Sequence, residues 1–144
     1  MAEVGCLKDG CFQNLQVEGN MTALTNIEVT AGLIFGRQSV TAAGSSQTTA
    51  GAISATGGTV VDVTEADDTK GVVLPSLSTA KLGQVYLICN NAAAKTLEVY
   101  PASGDQINPA SDNSPITIAA DTIILLIALD STQWFGAELP VVAA

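Results

Sequence analysis

Between residues 59 and 139 the chain repeats one kind of unit: a short run rich in Val, Ile, Leu, Tyr and Thr, closed by a polar, Pro or Gly break, about every ten residues. Runs this short cannot establish the 3.6-residue period of an amphipathic helix, and they read as strands. The strand segments fall at residues 59–63, 71–74, 84–89, 96–100, 115–118 and 121–129, with a last one around Trp134 and Phe135. Between them lie the acidic turn at 65–68, Pro75, Asn90-Asn91, Pro101, Ser103-Gly104-Asp105, Asn108-Pro109 and Asp130-Ser131, all of them turn chemistry. The best helix candidate, residues 77–82, is a single turn. The spacing predicts an all-β sandwich or barrel with almost no helix.

Two zones precede this domain. Residues 1–37 alternate apolar and polar side chains locally, as at Leu15/Val17 and Ile27/Val29, but Gly10, Gly19 and Gly32 break the stretch. Its apolar residues, Phe12, Leu15, Val17, Ile27, Val29, Leu33, Ile34 and Phe35, are too few for a core of their own. Burying six of them would yield a gross ~9–18 kcal/mol, much of it consumed in ordering the chain, so a preformed surface must supply the cover. The zone is expected to be an extended arm; the competing expectation makes it the first strands of the β-domain. Residues 38–58 are rich in Ser, Thr, Ala and Gly and fit either a flexible linker or weak strands around Val40 and Ile53.

The residue types that are missing remove whole classes of chemistry. The 144 residues contain no His, which excludes a Ser-His-Asp triad, a Cys-His pair and imidazole metal ligands. Neither a Walker A loop nor a G-x-S-x-G elbow occurs. Five Lys and Arg stand against fourteen Asp and Glu, and the net charge of −9 repels phosphate backbones and anionic lipid surfaces, so neither nucleic acid nor membrane is an expected partner. Charged residues make up 13%, about half the usual share, which argues for a folded chain. No apolar run approaches the ~20 residues that cross a bilayer, and the acidic start lacks the features of a secretory leader. Cys6, Cys11 and Cys89 are too few for a zinc site and are expected to be reduced, as in a cytoplasm.

Each remaining candidate site has a simpler structural reading. Asp62, Glu65, Asp67 and Asp68 could gather oxygens for Ca2+, but they depart from the D-x-[DN]-x-[DN]-G pattern and read as a solvated turn. Asp105, Gln106, Asn108, Asp112 and Asn113 form a second polar stretch of turn chemistry. Tyr86, Tyr100 and Trp134 are the aromatic residues that could stack on a sugar. Trp134 with Phe135 reads either as a binding platform or as a core anchor. No catalytic residue, cofactor or metal is expected. Alternation places Val85, Leu87, Cys89, Leu97, Val99, Ile116, Ile118, Ile124, Leu126, Ala128 and Trp134 in the core. Val85, Leu87 and Cys89 would then face Leu97 and Val99 across one hairpin. Residues 123–129 are apolar on both faces, so one face needs cover from a second sheet or a partner.

The stretch Gly71-Val-Val-Leu-Pro-Ser, then Gly83-Gln-Val-Tyr-Leu-Ile-Cys-Asn-Asn, then Leu97-Glu-Val-Tyr-Pro-Ala-Ser-Gly-Asp-Gln-Ile-Asn resembles a β-domain that recurs in virion proteins of tailed phages. The first twenty residues are similar to the amino ends of phage, and particularly cyanophage, virion structural proteins. The resemblance covers about two thirds of the chain and is most specific over residues 99–108. It implies a non-enzymatic capsid decoration (cement) protein, often trimeric, whose partner is the major capsid protein. Such a protein would be made in the host cytoplasm and located on the capsid surface of the virion. A head or tail fibre module binding a receptor or glycan is the alternative. The combined expectation is an all-β, jelly-roll-like antiparallel β-sandwich at 59–144, an extended arm at 1–37 that grips the shell, and 38–58 between them.

Overall fold

The computed structural model describes residues 32–92 and 94–139. The chain divides into the units Met1–Leu33 and Ile34–Ala144, and every strand of the described residues belongs to the second. That unit is all-β. Its strands are β1 Arg37–Thr41, β2 Gly51–Ala52, β3 Val60–Thr64, β4 Gly71–Val73, β5 Val85–Asn90, β6 Leu97–Tyr100, β7 Gln106–Ile107, β8 Ile116–Ile118, β9 Thr122–Ala128 and β10 Gln133–Leu139. Among the described residues there is no helix. After Pro75 a single turn forms, with the N–H groups of Thr79 and Ala80 both donating to the Ser76 carbonyl at 2.8 Å.

The strands do not make the antiparallel jelly-roll-like sandwich expected from the sequence. They wind as a β-solenoid of about four turns, with mixed, partly parallel sheets. Successive strands from β1 to β6 alternate between two sheets, ordered β1-β3-β5-β9-β10-β7 and β2-β4-β6-β8. The pairs β1–β3, β3–β5, β2–β4 and β4–β6 are all parallel. Arg37 lies beside Val60, and Val60 beside Leu87, so one coil takes 60 minus 37, or 23, residues and the next 87 minus 60, or 27. Parallel neighbours cannot be joined by a tight hairpin. In this chain the crossover between them is a strand of the opposite sheet. A strand every ten residues is equally compatible with pairing to the next strand or to the next but one, and periodicity carries no information that separates the two.

The winding reverses after β6. β8 pairs antiparallel with β6, β9 antiparallel with β5, and β10 antiparallel with β9, with the short β7 parallel to β10 at the sheet edge. The reversal ends the parallel stack and places the longest apolar strand, β9, between β5 and β10.

The inner faces of the two sheets share one core, built from Val61, Val63, Val72, Leu74, Tyr86, Ile88, Leu97, Val99, Ile107, Ile118, Ile124, Leu126, Ala128 and Trp134. Tyr86 and Trp134 meet with ring centroids 5.7 Å apart. The expected core residues of β6, β9 and β10 are inside, and Ile116 packs partly against them. On β5 the alternation has the opposite phase: Tyr86, Ile88 and Asn90 point inward while Val85, Leu87 and Cys89 are half-exposed. The expected hairpin between β5 and β6 is absent too, because the two strands belong to different sheets. The run Val-Tyr-Leu-Ile-Cys-Asn is apolar at both parities, so alternation alone leaves its phase open. Burying Tyr86 works because its hydroxyl donates to the Ser54 carbonyl at 3.1 Å and accepts from Gln84 Nε2 at 2.7 Å.

Leu126 is fully buried on the central strand β9. Leu126→Ala is expected to lower stability by about 2–5 kcal/mol in a denaturant melt, the usual cost of a cavity in a packed core.

Candidate docking surface

The outward face of the six-stranded sheet follows from the register of its strands. Val85, Ile127 and Phe135 lie side by side in one row, Leu87, Leu125 and Ala137 in the next, and Cys89, Ile123 and Leu139 in the third. Period-two geometry turns all nine away from the core. Phe135 is 50% exposed, Leu139 40% and Ile123 39%, and Val85, Leu87, Leu125 and Ile127 are half-buried by one another. β3 extends two rows with Val60 beside Leu87 and Asp62 beside Cys89. Asp62 is paired with Arg37 of β1, so the charge at this border is neutralised in place. Glu138, one residue from Leu139, points the other way and accepts from the Ala119 N–H at 3.3 Å. The result is a three-strand apolar band on a chain of net charge −9.

A second exposed apolar group precedes β1. Leu33, Ile34 and Phe35 are consecutive and 63%, 94% and 50% exposed. They are the last three of the eight residues assigned to the arm; Phe12, Leu15, Val17, Ile27 and Val29 lie outside the described residues.

The segment that carries the resemblance most specifically, residues 99–108, performs structural work. The Pro101 carbonyl accepts from Gln47 Nε2 at 2.6 Å. Gly104 adopts φ +87°, a conformation natural to glycine. Asp105 is buried, and its Oδ2 accepts from the Leu77 N–H at 2.9 Å, which anchors the turn after Pro75. Burial holds its carboxyl above the usual carboxylate range, partly offset by that hydrogen bond. Ile107 fills the core, and Asn108 Oδ1 accepts from the Gly136 N–H at 2.9 Å. Gly136 itself has no room for a side chain, since a Cβ there would meet the Leu125 carbonyl oxygen. The segment thus ties β7, β10 and the Ser76 turn together.

The acidic cluster is dispersed into turn contacts. Asp67 Oδ1 accepts from the Thr69 hydroxyl at 2.8 Å and from the Lys70 N–H at 3.1 Å. Asp68 pairs with Lys95 at 2.7 Å and accepts from the Thr96 N–H. Those bonds lower both carboxyls, with the Thr69 hydroxyl the largest influence on Asp67 and Lys95 the largest on Asp68. Among the described residues no three His, Cys, Asp or Glu side chains come together in a way that could hold a metal. Cys89 sits half-buried on the apolar band, its thiol pushed up by burial and by the Asp62 carboxylate and drawn back by Arg37. Trp134 and Phe135 divide the two readings of that pair: Trp134 anchors the core and Phe135 lies on the outward face. No helix of the described residues is long and apolar enough to cross a membrane.

No known family, curated protein or solved structure matches the chain.

The outward face was legible in part. The two-sided apolarity of residues 123–129 demanded cover, but the contribution of β5 and β10 depended on the pairing and on the phase of β5.

The buried Asp105 generates a test. Asp105→Ala orphans the Leu77 N–H and is expected to cost about 1–3 kcal/mol at pH 7, with Asp105→Asn, which keeps an acceptor, costing less. The sign of the pH dependence is specific. A carboxyl raised in the folded state favours folding while protonated, and that contribution fades as pH climbs from the unfolded value through the folded one. Asp67, Asp68 and Asp130 are lowered and act oppositely, with stability lost only as pH falls below the ordinary carboxylate value. Denaturant melts from pH 3 to pH 7 should therefore show a rise in the stability of Asp105→Asn relative to the parent above about pH 4.

Proposed function

We propose that the chain is a non-enzymatic virion structural protein that binds the outer surface of an assembled capsid as a decoration or cement subunit and stabilises the shell. Its partner is the major capsid protein, its place is the capsid surface after synthesis in the host cytoplasm, and the resemblance implies three copies per unit. The observation that carries the reading is the consecutive exposed trio Leu33, Ile34 and Phe35 at the approach to β1. Large apolar side chains left in water just before a folded domain are suited to a surface met only after the shell has formed. The sequence similarity of residues 1–20 and 99–108 to phage virion proteins supports it, as does a chain without His or a nucleotide-binding loop.

The fibre alternative, binding a glycan or receptor, draws less support. Tyr86, Tyr100 and Trp134, the aromatics available for sugar stacking, are 1%, 9% and 0% exposed. Those rings are spent on the core.

Deletion of residues 1–35, which removes the exposed trio and stops short of β1, tests the arm. Ile34 onward holds a core of its own, so the truncated protein is expected to give a cooperative melt close to that of the full chain. Capsids mixed with the full chain should carry it into the pellet at a fixed copy number, and the truncated chain should stay in the supernatant. Co-sedimentation of the truncated chain at the parental copy number would overturn the role of the arm. Failure of the full chain to pellet with capsids, together with micromolar binding on a glycan array, would replace the reading by the fibre alternative.

A further inference from the structure

We infer that the cleft between two stacked corners of the winding is a binding site for an aliphatic carboxylate, its charge held at Lys81 and its tail laid along Leu82. The chain passes from the four-stranded to the six-stranded sheet twice in succession, from β2 to β3 and from β4 to β5. Because β2 pairs with β4 and β3 with β5, the two corners lie side by side in the stack. Residues 55–57 of the first corner and 79–84 of the second line a cleft of about 510 Å3, within the ~300–1,000 Å3 range of small-molecule sites. Gln84 fastens the two walls together. Its Nε2 donates to the Ala55 carbonyl at 2.9 Å and to the Tyr86 hydroxyl at 2.7 Å, and its Oε1 accepts from the Lys81 N–H at 3.1 Å. The first wall is held again by Gln38, whose Nε2 donates to the Gly58 carbonyl at 2.7 Å and whose Oε1 accepts from the Ser54 N–H at 3.0 Å. The second is held by the Gly83 N–H, which donates to the Ala128 carbonyl at 2.9 Å. Walls fixed in advance spare a ligand the cost of ordering them.

The lining selects the charge of the ligand. The chain has fourteen acidic residues, yet none of them lines the cleft, and Lys81 is the charged residue among those that do. On a chain of net charge −9, the cleft is a place where an anion meets a cation. A lysine ammonium carries three donors, so it can keep another partner and still meet a carboxylate oxygen. Leu82, next in the chain and 66% exposed, supplies an aliphatic surface that the core does not use. Gly83 adopts φ +82° and has open space where a Cβ would stand, which keeps that side of the cleft clear. Other ligand chemistries fit this lining poorly. No aromatic ring lines it for a sugar to stack on, and no acid is there to receive an amine. A polyphosphate calls for a cradle of backbone donors or for several cations, where the lining holds one lysine. A single carboxylate with a short aliphatic tail matches both the ammonium and the leucine. Two sources carry that chemistry: a free short-chain acid, and the C-terminus of a peptide ending in an aliphatic residue.

The test is an NMR titration of the isotope-labelled full chain, following its backbone amides. The probes are sodium hexanoate, the neutral hexanamide, and an acetylated Ala-Leu dipeptide with a free carboxylate. Hexanoate should shift the amides of residues 56–57 and 81–83 along a saturable curve with a midpoint of about 1 mM, and hexanamide should bind about fivefold more weakly. Lys81→Gln should bring those two probes to the same midpoint, and Leu82→Ser should weaken both. Both side chains are exposed and outside the core, so the variants should keep the spectrum of the parent away from the cleft. A dipeptide that binds more tightly than hexanoate assigns the site to a peptide C-terminus, and one that binds no better assigns it to a free acid. Shifts that stay linear in hexanoate up to about 20 mM would overturn the inference. So would equal midpoints for hexanoate and hexanamide in the parent, or a preference for hexanoate that survives Lys81→Gln. No capsid is present in these titrations, so the decoration reading stands or falls separately.

Discussion

The parallel pairing of β3 with β1 on one side and β5 on the other is the constraint from which the rest of the structure follows. A strand flanked by parallel neighbours has to be reached by crossovers, and in this chain each crossover is itself a strand. Val61 and Val63 of β3 are buried because β4 and β6 pass across the interior and contribute Val72, Leu97 and Val99 to the same core. Each coil covers the inner face of its own two strands and the edge of the preceding coil, so the stack gains stability from its neighbours, as in other solenoids. An open parallel stack would leave its last strands as free edges. The antiparallel return of β8, β9 and β10 closes one end and seats Trp134 against Tyr86.

The strand positions could be read from the sequence because they depend on local properties: β-branched and aromatic runs, and turns marked by Pro, Gly, Asn and Asp. Pairing could not, because it depends on which segments meet across more than twenty residues. β9 and β5 show the difference at the level of one strand. Thr122 and Ala128 bracket β9 and its inward residues Ile124, Leu126 and Ala128 agree with simple alternation, whereas β5 offers Tyr, Ile and Asn at one parity and Val, Leu and Cys at the other. The second set is the more apolar of the two. What decides is Asn90, whose Nδ2 donates to the carbonyls of Lys95 and Ala119 and whose Oδ1 accepts from the Ala92 N–H. A buried amide with three partners outweighs a small gain in hydrophobicity, because leaving it on the wrong face would forfeit every one of those bonds.

Residues 99–108 show how local sequence signals can be strong while the expected fold fails. What that segment demands is local: a stop at Pro101, a left-handed Gly104, an acid at 105 to receive the Leu77 N–H, an Asn at 108 with φ 53°. Those demands arise wherever a strand ends, turns and re-enters a sheet edge, in a jelly roll or in a solenoid. A sequence pattern of this kind therefore speaks to a turn-and-strand unit, and it leaves the pairing of distant strands open. The chemistry-rich look of the segment has the same origin. Polar side chains that satisfy backbone donors in a tight turn are of the same types as those that bind ligands.

The distribution of charge gives the outward face its meaning. Three of the five basic residues, Arg37, Lys70 and Lys95, are engaged with Asp62, Asp67 and Asp68, so most of the remaining acids impose a net negative field on the surface. That field reaches about 8 Å at physiological salt, farther than any van der Waals contact, and it acts on every approaching copy before apolar groups can touch. A surface under such a field keeps an uncharged band of nine outward side chains only at the expense of solubility, and strands β5, β9 and β10 would fold as well with Thr, Lys or Gln at those positions, since the inner face alone supplies the core. Apolar residues there do nothing for the interior. They lie on the three strands brought together by the reversal of the winding, so the return that caps the core also assembles the band.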